Sequence, residues 1–288
     1  MGRRTRRGSG AVSGEARSVG RFLRARRDAL QPEDVGLRRD AGRRVPGLRR
    51  EEVAALAGVS LEYYLRLEQG RDHQPSTQVL AALARALRLD AAEREYLSRL
   101  VTGFLAVPAP REASVVVGER LTSLVDRFSH TPTFVSNAVQ DVVISNPLAR
   151  ALGEALQPGR NLLLELFDPE VKRTTPGWDE TARRAVATLR LFADHGSSRL
   201  QEVVGTLSVR DEDFRRWWAG HEVATTPLLG RFSATVDGFG QVDLDYDNLA
   251  VPEHPGYVVT ILRARAGTVA ERALEALTAR VERSPQLL

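Results

Sequence analysis

The sequence predicts a multidomain chain, an all-α helical bundle followed by an α/β domain, on three observations. Its 288 residues exceed the size at which a single hydrophobic core usually stops growing. Apolar periodicity is helical almost throughout from Leu48 to Leu100 and mixed beyond it. Formal charge is also split: net +8 over residues 1–103 and −4 over 104–288, which together give the overall +4.

Taken in order, residues 1–17 set Arg3, Arg4, Arg6 and Arg7 among Gly and Ser with no apolar period, and read as a basic disordered tail. Such a tail either stays solvated or acts as an arm onto phosphates or a minor groove. A helix is expected from Gly20, with Phe22, Leu23 and Leu30, and PEDVGLRRDAGRRVPG (32–47) reads as a loop. Val53, Leu56 and Ala57 lie at helical spacing from Arg49 to Ala57, where Gly58 stops the helix. Ser60 N-caps 61–69, which Gly70 closes. Pro75-Ser76 starts a fourth helix and Asp90 caps a fifth, ending in Tyr96, Leu97 and Leu100. The helical domain is thus bounded at 18–102. TGFLAVPAPREA, with two prolines, marks a linker at 103–114.

Residues 115–285 form the second domain. TFVSN (133–137) and DVVIS (141–145) are short strands; 178–193, 199–207 and 211–221 are helical. FSATV, QVDLDY and GYVVTILRA give three more strands before a helix over 268–283.

Composition narrows the function. The chain has no cysteine, so disulfides, thiolate metal sites and thiol nucleophiles are excluded. The five histidines show no ligand spacing, and neither a metal nor a cofactor is expected. Asp243, Asp245 and Asp247 mimic the start of a calcium loop, but Asn248 stands where glycine is needed and His254 where glutamate is. Alternation with Val242, Leu244 and Tyr246 makes them the wet face of a strand. Ser197 and Ser198 lack a nucleophile elbow, so no enzyme is expected. No apolar run is long enough for a bilayer, and the basic start MGRRTRRGSG has no hydrophobic stretch behind it. A cytoplasmic protein is therefore expected.

The positive third attracts polyanions, and RREEVAALAGVSLEYYLRLEQGR (49–71) has the parts of a helix-turn-helix. Gly58 supplies the turn and Ala54 lets two helices approach. Tyr64 and Leu67 fall on one side of the second helix, facing Val53 and Leu56, while Glu62, Tyr63, Arg66 and Gln69 fall on the other. Arg66 can donate to guanine O6 and N7, Glu62 can accept from cytosine N4, and Tyr63 can press on a thymine methyl or reach a phosphate. Arg49, Arg50 and Arg71 suit phosphates. Double-stranded DNA is the expected partner, read by a homodimer on an inverted repeat. A protein-interaction adaptor, or a small-molecule enzyme in the second half, are the competing classes.

REEVAALAGVS-LEYYLRLEQGR followed by PSTQVLAALARALRLD resembles the five-helix, phage-repressor-like regulators of the XRE family over roughly 18–102. That resemblance implies Arg49–Ala57 as supporting helix, Leu61–Gln69 as recognition helix, and Glu68 as a conformational residue rather than a base reader. The remainder resembles the MmyB-like ligand-binding domain with a PAS-like sensor fold, through TPTFVSNAVQDVVISNPLARAL, RNLLLELFDPE, GWDETARRAVATLRLFA, LSVRDEDFRRWWAGHEV and GQVDLDYDNLAVPEHPGYVVTIL. Two departures from that pattern, Ser145 in place of Trp and Val236-Asp237-Gly238-Phe239 in place of a His-Pro pair, imply a changed or lost ligand if they line the pocket. A cavity between sheet and helices is expected to take a small, largely apolar ligand, with Phe134, Val142, Phe167, Trp178, Leu189, Trp217 and Tyr257 as candidate lining.

Overall fold

A computed structural model describes residues 9–39, 43, 45–71, 75–102, 111–252 and 254–283, with the side chains of 9–17 and 111–117 left aside. Arg3, Arg4, Arg6, Arg7 and most of the expected linker lie outside the described residues. The chain divides into two compact units: Met1–Leu105 with Arg216–Ala224, and Ala106–Arg215 with Thr225–Leu288.

The first unit holds α1 (Ser9–Ala29), a 3₁₀ turn (Pro32–Val35), α2 (Arg50–Ala57), α3 (Leu61–Glu68), α4 (Thr77–Ala86) and α5 (Ala91–Thr102). α1 starts at Ser9, inside the stretch expected to be a tail. The caps decide where the other helices start and stop. Glu52 accepts from the Arg49 amide at 2.6 Å, which satisfies a donor that α2 itself leaves unpaired. Gly58 takes φ 66°, closing α2 with its amide on Ala54 and Ala55, a conformation that favours glycine. Ser60 Oγ accepts from the Tyr63 amide at 3.1 Å, Ser76 Oγ caps α4 through Val79, and Asp90 and Glu93 cap α5 reciprocally. Phe22, Leu23, Leu48, Val53, Tyr64, Leu67, Leu83 and Leu97 are wholly buried or nearly so, and Phe22 meets Tyr96 edge-on with ring centroids 5.1 Å apart.

The second unit is built on five strands, β1 (Thr133–Ser136), β2 (Val142–Ser145), β3 (Leu229–Val236), β4 (Gly240–Ala250) and β5 (Val258–Arg263). They form one antiparallel sheet in the order β2-β1-β5-β4-β3, the PAS-like arrangement. Between β2 and β3 run α7 (Pro147–Leu152), α8 (Leu162–Leu166), α9 (Pro169–Thr174), α10 (Trp178–Phe192), α11 (Ser198–Arg210) and α12 (Glu212–Ala219). α6 (Arg111–Asp126) precedes the sheet and α13 (Val269–Arg283) follows it.

The alternation of apolar residues along the strands fills two cores. Phe134, Val142, Val236, Val242, Leu244 and Leu262 pack with Leu148 and Leu152 of α7 and Leu274 and Leu277 of α13. Val135 and Val259 pack on Val125 of α6. The three aspartates of β4 form cross-strand pairs: Asp245 with Arg265 at 2.7 Å, Asp247 with Arg263, and Asp243 with the Ser233 hydroxyl at 2.6 Å. No group of metal-ligating side chains occurs among the described residues, and none of their helices is long and apolar enough to cross a membrane.

Candidate nucleic-acid interface and ligand cleft

α3 presents two unlike faces. Tyr64 and Leu67 are completely buried, and the helix packs on α1 and α2. Glu62, Arg66 and Gln69 are exposed and Tyr63 is half-buried. Arg66 approaches Glu62 at 3.6 Å with 48% of its side chain in solvent and lies over the Tyr63 ring at 5.7 Å. An exposed pair of this kind is worth little, so both charged ends are cheaply redirected to a ligand. Arg71 is exposed just beyond Gly70, its amide bonded to the Arg66 carbonyl at 2.9 Å.

Arg49 and Arg50 meet α3 in a groove of about 500 Å³ that they line with Leu61 and Leu65. The two arginines differ. Arg49 pairs loosely with Glu51 at 3.7 Å. Arg50 is held through Nε by Glu68 at 2.7 Å while 40% of its side chain stays in solvent. The residue expected to touch phosphate alone thus also braces the fold. Leu56 corrects another expectation: it is 40% exposed, because the buried strip of α2 is Val53, Ala54 and Ala57 and Leu56 lies beside it.

Glu68 is the polar centre of this unit. Its side chain is 1% exposed and it accepts from Arg27 Nε at 2.6 Å and from Arg50 Nε at 2.7 Å, with Arg24 at 4.0 Å. α3 is thereby tied to α1 and α2, the conformational role the resemblance implied. Burial works to raise the Glu68 pKa, yet the hydrogen bonds from Arg27 and Arg50 and their charges hold it below the ordinary carboxylate value. Burial and the neighbouring Glu68 carboxylate push the Tyr64 hydroxyl well up.

The second unit contains a cleft of about 1030 Å³ between the sheet and the α8–α10 helices. Leu162, Leu166, Phe192 and Val258 supply apolar wall, and Thr188, Arg184, Asn248 and Thr260 supply polar wall. Most polar groups there are paired: Gln140 donates to the Ala185 carbonyl at 2.8 Å, and Thr260 to Asn248 at 2.7 Å. Thr188 Oγ1 is buried with no hydrogen-bond partner among the described residues. Tyr246 lies across Gly230, where an added Cβ would come within 2.3 Å of its ring; burial raises its pKa, and the nearby Arg184 charge partly offsets this.

None of the seven side chains expected to line a cavity borders this cleft. Phe134 and Val142 belong to the core under α7 and α13. Phe167 stacks edge-on with Trp178 and Phe214, Leu189 is completely buried, and Tyr257 packs near the α6 core. Trp217 falls in the segment Arg216–Ala224, grouped with the first unit. Aromatic size selected core residues, while the cleft is bordered by other aromatics, Phe192, Phe232 and Tyr246, beside polar and charged residues of α10, β4 and β5. Ser145 and the Val236–Phe239 turn do not border it either.

A helical bundle whose α3 is braced from behind and exposed in front, followed by a PAS-like domain with an open cleft, defines the class: a DNA-binding transcription regulator with a ligand-binding domain. The MmyB-like transcription regulator ligand binding domain matches residues 117–277, and a helix-turn-helix domain matches residues 18–97. The chain belongs to the MmyB-like transcription regulators. No curated protein is similar enough to match it.

Proposed function

We propose that α3 enters the major groove of duplex DNA, with Glu62, Tyr63, Arg66 and Gln69 toward base edges, while Arg49, Arg50 and Arg71 contact phosphates and Ser60 holds the helix start. The carrying observation is the contrast across α3: a fully buried Tyr64–Leu67–Glu68 side clamped by arginines, and a charged side left to solvent. Pre-positioned donors lose little freedom on binding. Selection of bound duplexes from a random pool tests this and yields the operator. Arg66→Ala should relax one base position and cost about 1–3 kcal/mol there. Arg50→Ala should weaken all sequences alike, and should also lower stability because it frees one side of Glu68. Equal losses on every sequence for both variants would contradict the assignments, and indifference of the intact chain to sequence would point to an adaptor.

The cleft is proposed to take a small molecule, largely apolar, with one polar group opposite Thr188. Ligand that favours one arrangement of the domain shifts the population that binds DNA. Native mass spectrometry of the purified chain should show a bound small molecule, and Thr188→Leu, which removes the hydroxyl and adds bulk, should release it. An identical adduct in the variant, or none in either protein, counts against this assignment.

A further inference from the structure

The sheet has one guarded edge and one open edge. β2 is four residues long, and its pairing with β1 breaks register between Val135 and Ser136, a device that blunts an edge. β3 closes the other side with eight residues in unbroken register on β4, from Leu229↔Asp247 to Val236↔Gly240. It contains no proline and no bulge. The Leu228 carbonyl accepts from the Asn248 amide, so by alternation the even positions turn toward β4 and the amides and carbonyls of Leu229, Arg231, Ser233 and Thr235 turn outward. None of these outward groups pairs with another backbone group among the described residues. Leu228 and Leu229, 71% and 68% exposed, stand beside them.

We infer that β3 pairs antiparallel with β3 of a second copy of this chain, joining two sheets edge to edge across a two-fold axis. Outward amides and carbonyls at alternate positions are satisfied by an extended strand. Charge pattern selects this chain as the source of that strand. In the two-fold register centred on Phe232, Arg231 faces the second copy's Ser233, whose hydroxyl is bonded to Asp243. Each guanidinium, 4.0 Å from Asp243 of its own chain, then also meets the Ser233–Asp243 site of the other copy, and the two contacts repeat by symmetry. Leu229 faces Thr235 and Leu228 faces Val236 in the same register, covering the exposed leucines. Leu229 to Ser233 also border the ligand cleft, so an occupant of the cleft touches the strand that forms the joint. The inference stands on the sheet edge alone and deepens the proposed regulator reading by supplying the dyad that two recognition helices require.

Sedimentation of the full chain over a dilution series, without DNA, tests it together with hydrogen exchange at β3. The expected result is a concentration-dependent dimer in which the Leu229, Arg231, Ser233 and Thr235 amides exchange slowly when dimeric and fast when dilute. The double variant Leu228→Lys, Thr235→Lys changes two exposed side chains that do not border the cleft, and should weaken the dimer by about tenfold or more through edge repulsion. A monomer at every concentration, or a dimer that leaves these amides unprotected, overturns the inference. Protection that persists in the dilute monomer also overturns it, since another segment of the same chain would then cover the edge. The exchange measurement on the unmodified chain stays decisive if the double variant fails to fold. Binding of the dilute monomer to a single half-site, measured separately, reports on the DNA reading and leaves the dimer result untouched.

Discussion

Glu68→Ala should cost the DNA-binding unit about 3–5 kcal/mol of stability, because it removes the buried carboxylate that balances Arg27 and braces Arg50. The loss exceeds that of a surface pair since the carboxylate is almost fully enclosed and Arg27 is itself buried; the other anion on Arg27, Asp28 at 2.7 Å, is half in solvent and compensates weakly. For a domain of this size the melting transition should fall by about 4–8 °C per kcal/mol. Hydrogen exchange over residues 50–71 assigns the change to α2 and α3. Glu68→Gln keeps the shape but not the charge and should be nearly as harmful, whereas loss of a hydrogen bond alone costs about 1 kcal/mol; a result that small would refute the charged clamp. The pH dependence has a definite sign. Glu68 is held below its ordinary value of 4.5 when folded, so its stabilising contribution is complete above that value. It is lost as pH falls through the lower folded value, and an acid titration of Glu68→Gln should lack this step.

Much of this architecture was legible in the sequence, and the reasons differ by region. Caps and turns are local, so Gly58, Ser60, Ser76 and Asp90 marked α2 to α5 closely. The outward face of α3 followed from a period of 3.6 residues, which distributes Glu62, Tyr63, Arg66 and Gln69 without reference to any partner. The strands announced themselves by alternation. What failed was whatever depends on contacts distant in sequence. Leu56 has the composition of a core residue and is displaced only because α2 rests on Val53, Ala54 and Ala57. Arg50 looked like a free cation until Glu68, eighteen positions on, closed on it. α7, α8 and α9 were not foreseen, because helices of five or six residues carry too few periods to stand out; α6, at sixteen residues, was missed as well.

The cleft shows the same limit in a stronger form. Large aromatics are natural candidates for a pocket, yet Phe167, Trp178 and Phe214 satisfy one another edge to edge and leave no space. Which of two sheet faces is sealed by α7 and α13 is a property of topology. Thr188 and Gly230 carry no signal in isolation. Gly230 gains meaning only from its partner strand, because it is where the Tyr246 ring crosses β3.

Gly20→Ala should destabilise the first unit by about 1–3 kcal/mol or more, against the intrinsic preference of a helix interior, where alanine is better than glycine by about 1 kcal/mol. A Cβ at Gly20 would lie 2.2 Å from the Glu68 carbonyl oxygen and 2.8 Å from its carbon, and both are backbone atoms at the end of α3. No rotamer change relieves that overlap; α1 and α3 must move apart. Their separation pulls the Glu68 carboxylate from Arg27, which is on α1, so packing and ion pairing fail together. Gly205 in α11 provides the opposite sign: nothing lies within 4 Å of its added Cβ, and Gly205→Ala should stabilise by about 0.5–1 kcal/mol. Urea unfolding of both variants, followed by circular dichroism, measures the pair. If Gly20→Ala also stabilised the chain, the close approach of α1 to α3, and with it the rigid seating of the recognition helix, would be wrong.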